Sequence, residues 1–112
     1  KHADNIRNAY ERGVRCVFGT DTGTPLGPHG YQHKEFVYMA EAGITPKDIL
    51  LSATRYAAEL LKWEDKIGTI QSGKLADIIA IEGNPLEDLS AINRETISFI
   101  MKDGIVYKNE LK

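Results

Sequence analysis

In VRCVFGTDTG, residues 14–23, an apolar run ends in glycine and gives way to two threonines flanking one carboxylate, Asp21. A short apolar run of this kind, entered after a glycine stop at Gly13, predicts a buried strand over 14–19. Side chains alternate along a strand, so an extended Asp21 would share a face with Gly19 and Val17. Cys16 and Phe18 would then point the other way, towards covering helices. Gly19 clears space beside Asp21. A carboxylate that ends a strand and opens a long loop matches a catalytic position at the C-terminal mouth of a barrel. The same composition also suits an ordinary solvated turn.

Outward from this stretch, the punctuation sets the remaining elements. Ala3, Ile6, Ala9 and Tyr10 recur at helical spacing and predict a helix over 2–12. TGTPLGPHGYQH, residues 22–33, is rich in glycine, proline and threonine and predicts a loop. KEFVYMAEAG predicts a helix ending at Gly43. In ITPKDILLSATRYAAELL, Thr45 is an N-cap, Pro46 takes the first helical position and Asp48 a first-turn position. Leu50, Ala53, Ala57, Leu60 and Leu61 line one apolar face. Beyond Trp63 the chain turns strand-like, with IGTI, ADIIAIEG and TISFIMKDGIVYK, and Asp103-Gly104 predicts a two-residue hairpin. Gly83-Asn84-Pro85 predicts a turn.

The 112 residues are one domain's worth. Sixteen acidic and fourteen basic residues leave a net charge of −2 with no basic cluster, so neither nucleic acid nor a membrane surface is an expected partner. No apolar stretch is long enough to span a bilayer as a helix. The lone Cys16 fits a reducing compartment, and a cytoplasmic location is the expectation.

Two phosphate chemistries fail on the residues. A P-loop needs Gly-Lys-Ser/Thr, and GTDTGTP has no lysine. An aspartyl-phosphate centre of the cation-pump kind has lysine directly after its aspartate, where this chain has Thr22.

Taken together the segments resemble the C-terminal part of the metal-dependent amidohydrolase superfamily. HADNIRNAYERGVRCVFGTDTGTP is similar to its final helix-strand segment, and GITPKDILLSATRYAAELL to the helix pair that follows. IGTIQSGKLADIIAIEGNPLED resembles its I-G-[ST]-[IL]-x-x-G-K-x-A-D segment, and FIMKDGIVYK its closing hairpin. The branch most resembled is that of imidazolonepropionase-like enzymes and Xaa-Pro or Xaa-Arg dipeptidases.

The resemblance implies an α/β fold: the last strand and helices of a TIM (β/α)8 barrel over residues 1–62, and part of a small composite β-sandwich over 63–112. It implies hydrolysis of an amide or peptide C–N bond in a dipeptide or related small molecule. Unpaired edges at 14–19 and exposed apolar helix faces such as those of Leu50 and Leu61 make a homo-oligomer the expectation. The resemblance makes Asp21 a ligand of a divalent metal, zinc first, with one or two ions, and the proton carrier for the hydrolytic water. His29 and Gly30, in the loop after Asp21, become candidate contacts to substrate. Lys74 and Asp77 of GKLAD become structural residues. The family's H-x-H pair is absent, and the three histidines His2, His29 and His33 have no ligand spacing. One ligand is fewer than a catalytic zinc needs. A whole barrel takes roughly 200 residues or more. The expectation is therefore a C-terminal segment with an incomplete metal site, inactive alone. The competing expectation is a free-standing α+β interaction module without activity.

Overall fold

The computed structural model describes residues 2–112. Four helices precede three strands: α1 (His2–Glu11), α2 (Lys34–Glu41), α3 (Pro46–Ser52), α4 (Arg55–Leu60), β1 (Ile78–Ile81), β2 (Ile97–Lys102) and β3 (Ile105–Asn109). A single 3-10 turn, Leu89–Ala91, lies between β1 and β2.

α3 starts where its cap residues require. Thr45 is extended, its hydroxyl accepts from Asp48 N at 3.3 Å, and Pro46 begins the helix. The expected continuous helix through 61 is broken. Thr54 leaves helical geometry at φ −126°, ψ −92°, and its Oγ1 donates to Leu50 O at 2.7 Å. A threonine hydroxyl bonded back one turn competes with the backbone ladder and bends the chain. Ile49, Ser52 and Ala58 are buried, while Leu60 and Leu61 stand in solvent.

Segment 14–19 is extended but forms no strand, because the described residues offer it no neighbouring strand to pair with. One of its amides, Phe18 N, donates to Ser52 O at 3.3 Å. IGTI, residues 67–70, is likewise not a strand: it runs through a looped segment closed by Leu75 N donating to Lys66 O at 2.9 Å. Lys74 Nζ braces that segment, donating to Glu64 O at 2.5 Å and Thr69 Oγ1 at 2.6 Å. Gly68 sits against α4 with φ +92°, where an added Cβ would meet Ala58 Cβ at 2.6 Å.

The strands form one antiparallel sheet in the order β1-β2-β3, with Ile79 opposite Ile100 and Met101 opposite Val106. The β2–β3 turn is the expected Asp-Gly pair, with φ +49° at Asp103 and +74° at Gly104. Two positive φ values in succession are what a type I′ hairpin needs. Asp77 ties this turn down, its Oδ1 accepting from Asp103 N at 2.8 Å while Gly104 N donates to Ala76 O at 3.2 Å.

The core joins both halves. Met39 of α2, Ile44 and Ile49 are buried with Leu89 and Ile92, which lie between β1 and β2. Complete burial of a side chain such as Ile49 is worth about 1.5–3 kcal/mol. Cys16 and Phe18 pack against this cluster as the alternation predicted, with the Phe18 and Phe36 rings 4.5 Å apart. Arg7 of α1 closes α2, its Nε donating to Ala42 O at 3.1 Å and its Nη2 to Glu41 O at 3.2 Å. Those carbonyls have no partner within the helix.

Candidate active-site loop

The extended run 14–20 leaves the core at Phe18 and delivers the chain to the loop. There the backbone reverses: Asp21 has φ +51°, so the extended geometry stops short of it. Its side chain therefore does not continue the Val17–Gly19 face. A left-handed non-glycine residue is uncommon, and aspartate is among the residues that tolerate it. The carboxylate is exposed, and the hydroxyls of Thr20 and Thr22 are hydrogen-bonded to each other across it.

The loop is built from its own turns. Gly23 N donates to Gly27 O at 2.8 Å, and Gly27 N to Thr24 O at 3.0 Å. This folds His29 back, so that a Cβ on Gly23 would lie 3.5 Å from His29 Nε2. Gly30 N donates to the Gln32 side-chain oxygen at 2.8 Å. His29 is thus brought beside the Asp21–Gly23 turn, while Gly30 faces another part of the chain, Arg94. His33 only precedes α2 and makes no side-chain cap, and His2 is an exposed residue of α1.

Beside the turn lies a cleft of about 310 Å³, lined by Thr20, Thr22, Leu26, Tyr31, Lys34 and Tyr38 among others. Asp21, His29 and Gly30 flank this cleft rather than line it. Tyr31 and Lys34 were not singled out from the sequence. Lys34 Nζ lies 5.1 Å from the Tyr31 ring centre, a cation–aromatic contact. The signal that could have marked them is their place directly after Gly30, at the loop's return to α2.

Among the described residues no group of three or more His, Cys, Asp or Glu is placed to hold a metal. These residues do not make up a complete metal site. No described helix is long and apolar enough to cross a membrane.

With that geometry in hand, three relatives are informative. A Xaa-Pro dipeptidase solved with methionine in its active site superposes with a TM-score of 0.88 at 48% identity, over 96% of this chain and 25% of that one. The ochratoxinase of Aspergillus niger is 31% identical over 110 residues, 96% of this chain and 22% of that protein. The imidazolonepropionase of Fusobacterium nucleatum is 31% identical over 85 residues, 73% of this chain and 20% of that protein. The chain thus spans about a quarter or less of the length of these relatives. They include both kinds of enzyme that the GTD and GKLAD segments resemble. The profile of the Amidohydrolase family matches residues 1–108, and the chain belongs to that family.

Proposed function

We propose that this chain carries the proton-shuttling carboxylate of an enzyme that hydrolyses an amide or peptide C–N bond, in a dipeptide or related small molecule. The observation that carries this reading is Asp21 itself, an exposed carboxylate in the left-handed region at the end of an anchored, extended segment. Family membership supplies the reaction class.

In that enzyme Asp21 would give one oxygen ligand to a divalent metal, zinc foremost, as one or two ions. Such a metal lowers the pKa of a water towards neutrality. Asp21 accepts the proton of the attacking water and returns it to the leaving amine as the C–N bond breaks. His29, folded back beside the Asp21–Gly23 turn, and the Gly30 backbone contact the carboxylate end of the substrate. The run 14–19 takes its place as the last strand of a TIM barrel, and β1–β3 contribute to a small β-sandwich. A cytoplasmic homo-oligomer completes the proposal.

The test is Asp21→Asn in the whole enzyme. Asparagine suits the same turn, so the melting temperature should hold. A general acid–base group contributes about 10²–10⁴-fold, or about 3–5 kcal/mol of barrier, and the loss should fall on kcat. An Asn variant that keeps more than about a tenth of wild-type kcat overturns the assignment.

A further inference from the structure

The loop that carries His29 and Gly30 is held from outside by a residue of the C-terminal half. A methyl group placed on Gly30 would lie 3.5 Å from Arg94 Nη1, so the guanidinium lies beside that stretch of backbone with room for about one methyl group between them. The same guanidinium carbon sits 6.0 Å from the Tyr31 ring centre, and Lys34 Nζ sits 5.1 Å from it. The ring is therefore engaged by cations from two different elements.

Arg94 is well placed to act as a strut because its own backbone is fixed. It follows Asn93, whose Oδ1 accepts from Glu95 N at 2.9 Å and Thr96 N at 3.0 Å and whose Nδ2 donates to Ser90 O at 2.9 Å. The Arg94 carbonyl accepts from Lys108 Nζ of β3 at 3.4 Å. The turn is thus anchored to the sheet on one side and, through Leu89 and Ile92, to the core on the other. Among the described residues the hydrogen bonds of the loop run within itself, and Leu26 at its tip is almost wholly exposed.

We infer that Arg94 is a positioning residue, which holds loop 29–31 against the β unit so that His29 and the Gly30 backbone present one geometry to substrate. This rests on the proposed hydrolytic function, in which those two residues meet substrate. The side chain is exposed, so its contribution is to loop order rather than to global stability.

The experiment is a double-mutant cycle in the whole enzyme with Arg94→Ala, Tyr31→Leu and both together, read by steady-state kinetics, melting temperature and hydrogen exchange. A cation–aromatic contact at an exposed site corresponds to about a two- to fivefold change in an equilibrium. Arg94→Ala should raise KM by about that factor, with kcat changed by less than about twofold. Exchange in the segment containing the Gly30 amide should quicken while the segment containing the Ile49 amide is unaffected. The double variant should lose less than the product of the two single effects, because both singles remove the Arg94–Tyr31 contact. Glu95→Ala, one residue on and also exposed, should leave KM as it is. An unchanged KM and unchanged loop exchange in Arg94→Ala overturn the inference, as do effects of the two single variants that simply multiply. A wild-type enzyme that hydrolyses no amide sinks the functional reading instead, and the exchange measurement still decides whether Arg94 orders the loop.

Discussion

Adding one carbon at position 68 should cost this protein a large share of its stability. Gly68 has φ +92°, and a Cβ there would lie 2.6 Å from Ala58 Cβ, 3.1 Å from Thr54 O and 3.3 Å from Arg55 Cα. Carbon atoms rest at about 3.5–4.0 Å, so the overlap with Ala58 is close to 1 Å, and neither that Cβ nor the backbone atoms of Thr54 and Arg55 can rotate away. Overpacking of this kind costs about 1–3 kcal/mol. The left-handed backbone adds about 1–2 kcal/mol for any L side chain. Gly68→Ala should therefore lose about 2–5 kcal/mol, out of a total of about 5–15 kcal/mol for a domain. In a chain of this size that lowers the melting temperature by about 10–25 °C, measured by circular dichroism or calorimetry. Pairing it with Ala58→Gly separates the two terms. The second change removes the struck methyl group, at about 1 kcal/mol for glycine inside a helix, and leaves the backbone term in place. If Gly68→Ala alone melts within about 4 °C of wild type, less than 1 kcal/mol on that scale, the close approach of residues 66–70 to α4 is not as described.

Asp77→Ala removes the acceptor of the Asp103 amide that holds the hairpin turn, and should cost about 1 kcal/mol by denaturant titration while kcat of the folded enzyme stays within about twofold, in contrast to Asp21→Asn. Glu59 supplies a pH dependence: its hydrogen bond from Arg55 is the largest influence and, with the charges of Arg15 and Arg55, holds its carboxyl below the ordinary 4.5, against desolvation, the second-largest influence, which acts the other way. A carboxyl lowered by folding adds stability that is whole above its unfolded pKa and is lost as pH falls through the folded value. Melting temperature should therefore fall more between pH about 6 and about 3 in wild type than in Glu59→Gln, and salt should shrink the difference because the pairs are exposed; equal slopes would refute it.

The parts legible in the sequence are those fixed by a few neighbouring residues. Thr45-Pro46 with Asp48 starts a helix by local hydrogen bonding and a preset φ, and Asp103-Gly104 closes a hairpin by backbone freedom; both are found where expected. The failures share another cause. A strand at 14–19 needs a partner strand, which periodicity cannot supply. IGTI has strand composition, but Gly68 and the Lys74 brace draw it into a loop against α4. The break after Ser52 carries no glycine or proline to announce it, only a threonine whose hydroxyl found Leu50 O. At the site, Asp21 and His29 stood out through their neighbours. Its left-handed backbone was only hinted at by the glycines around it. Arg94 was invisible, since nothing local connects it to Gly30.

The shared cluster of Met39, Ile44, Ile49, Leu89 and Ile92 bears on how this chain can be recombined. The obvious seam, where helices end and strands begin, lies on the surface at Trp63, yet the apolar cluster crosses it. A chimaera joined there would set a foreign Leu89 and Ile92 against a native Ile49, and unmatched volumes in a buried cluster are costly in either direction. Exchange of the strand half between relatives should succeed only when these five positions travel together, so the unit of inheritance is wider than the unit visible in the topology.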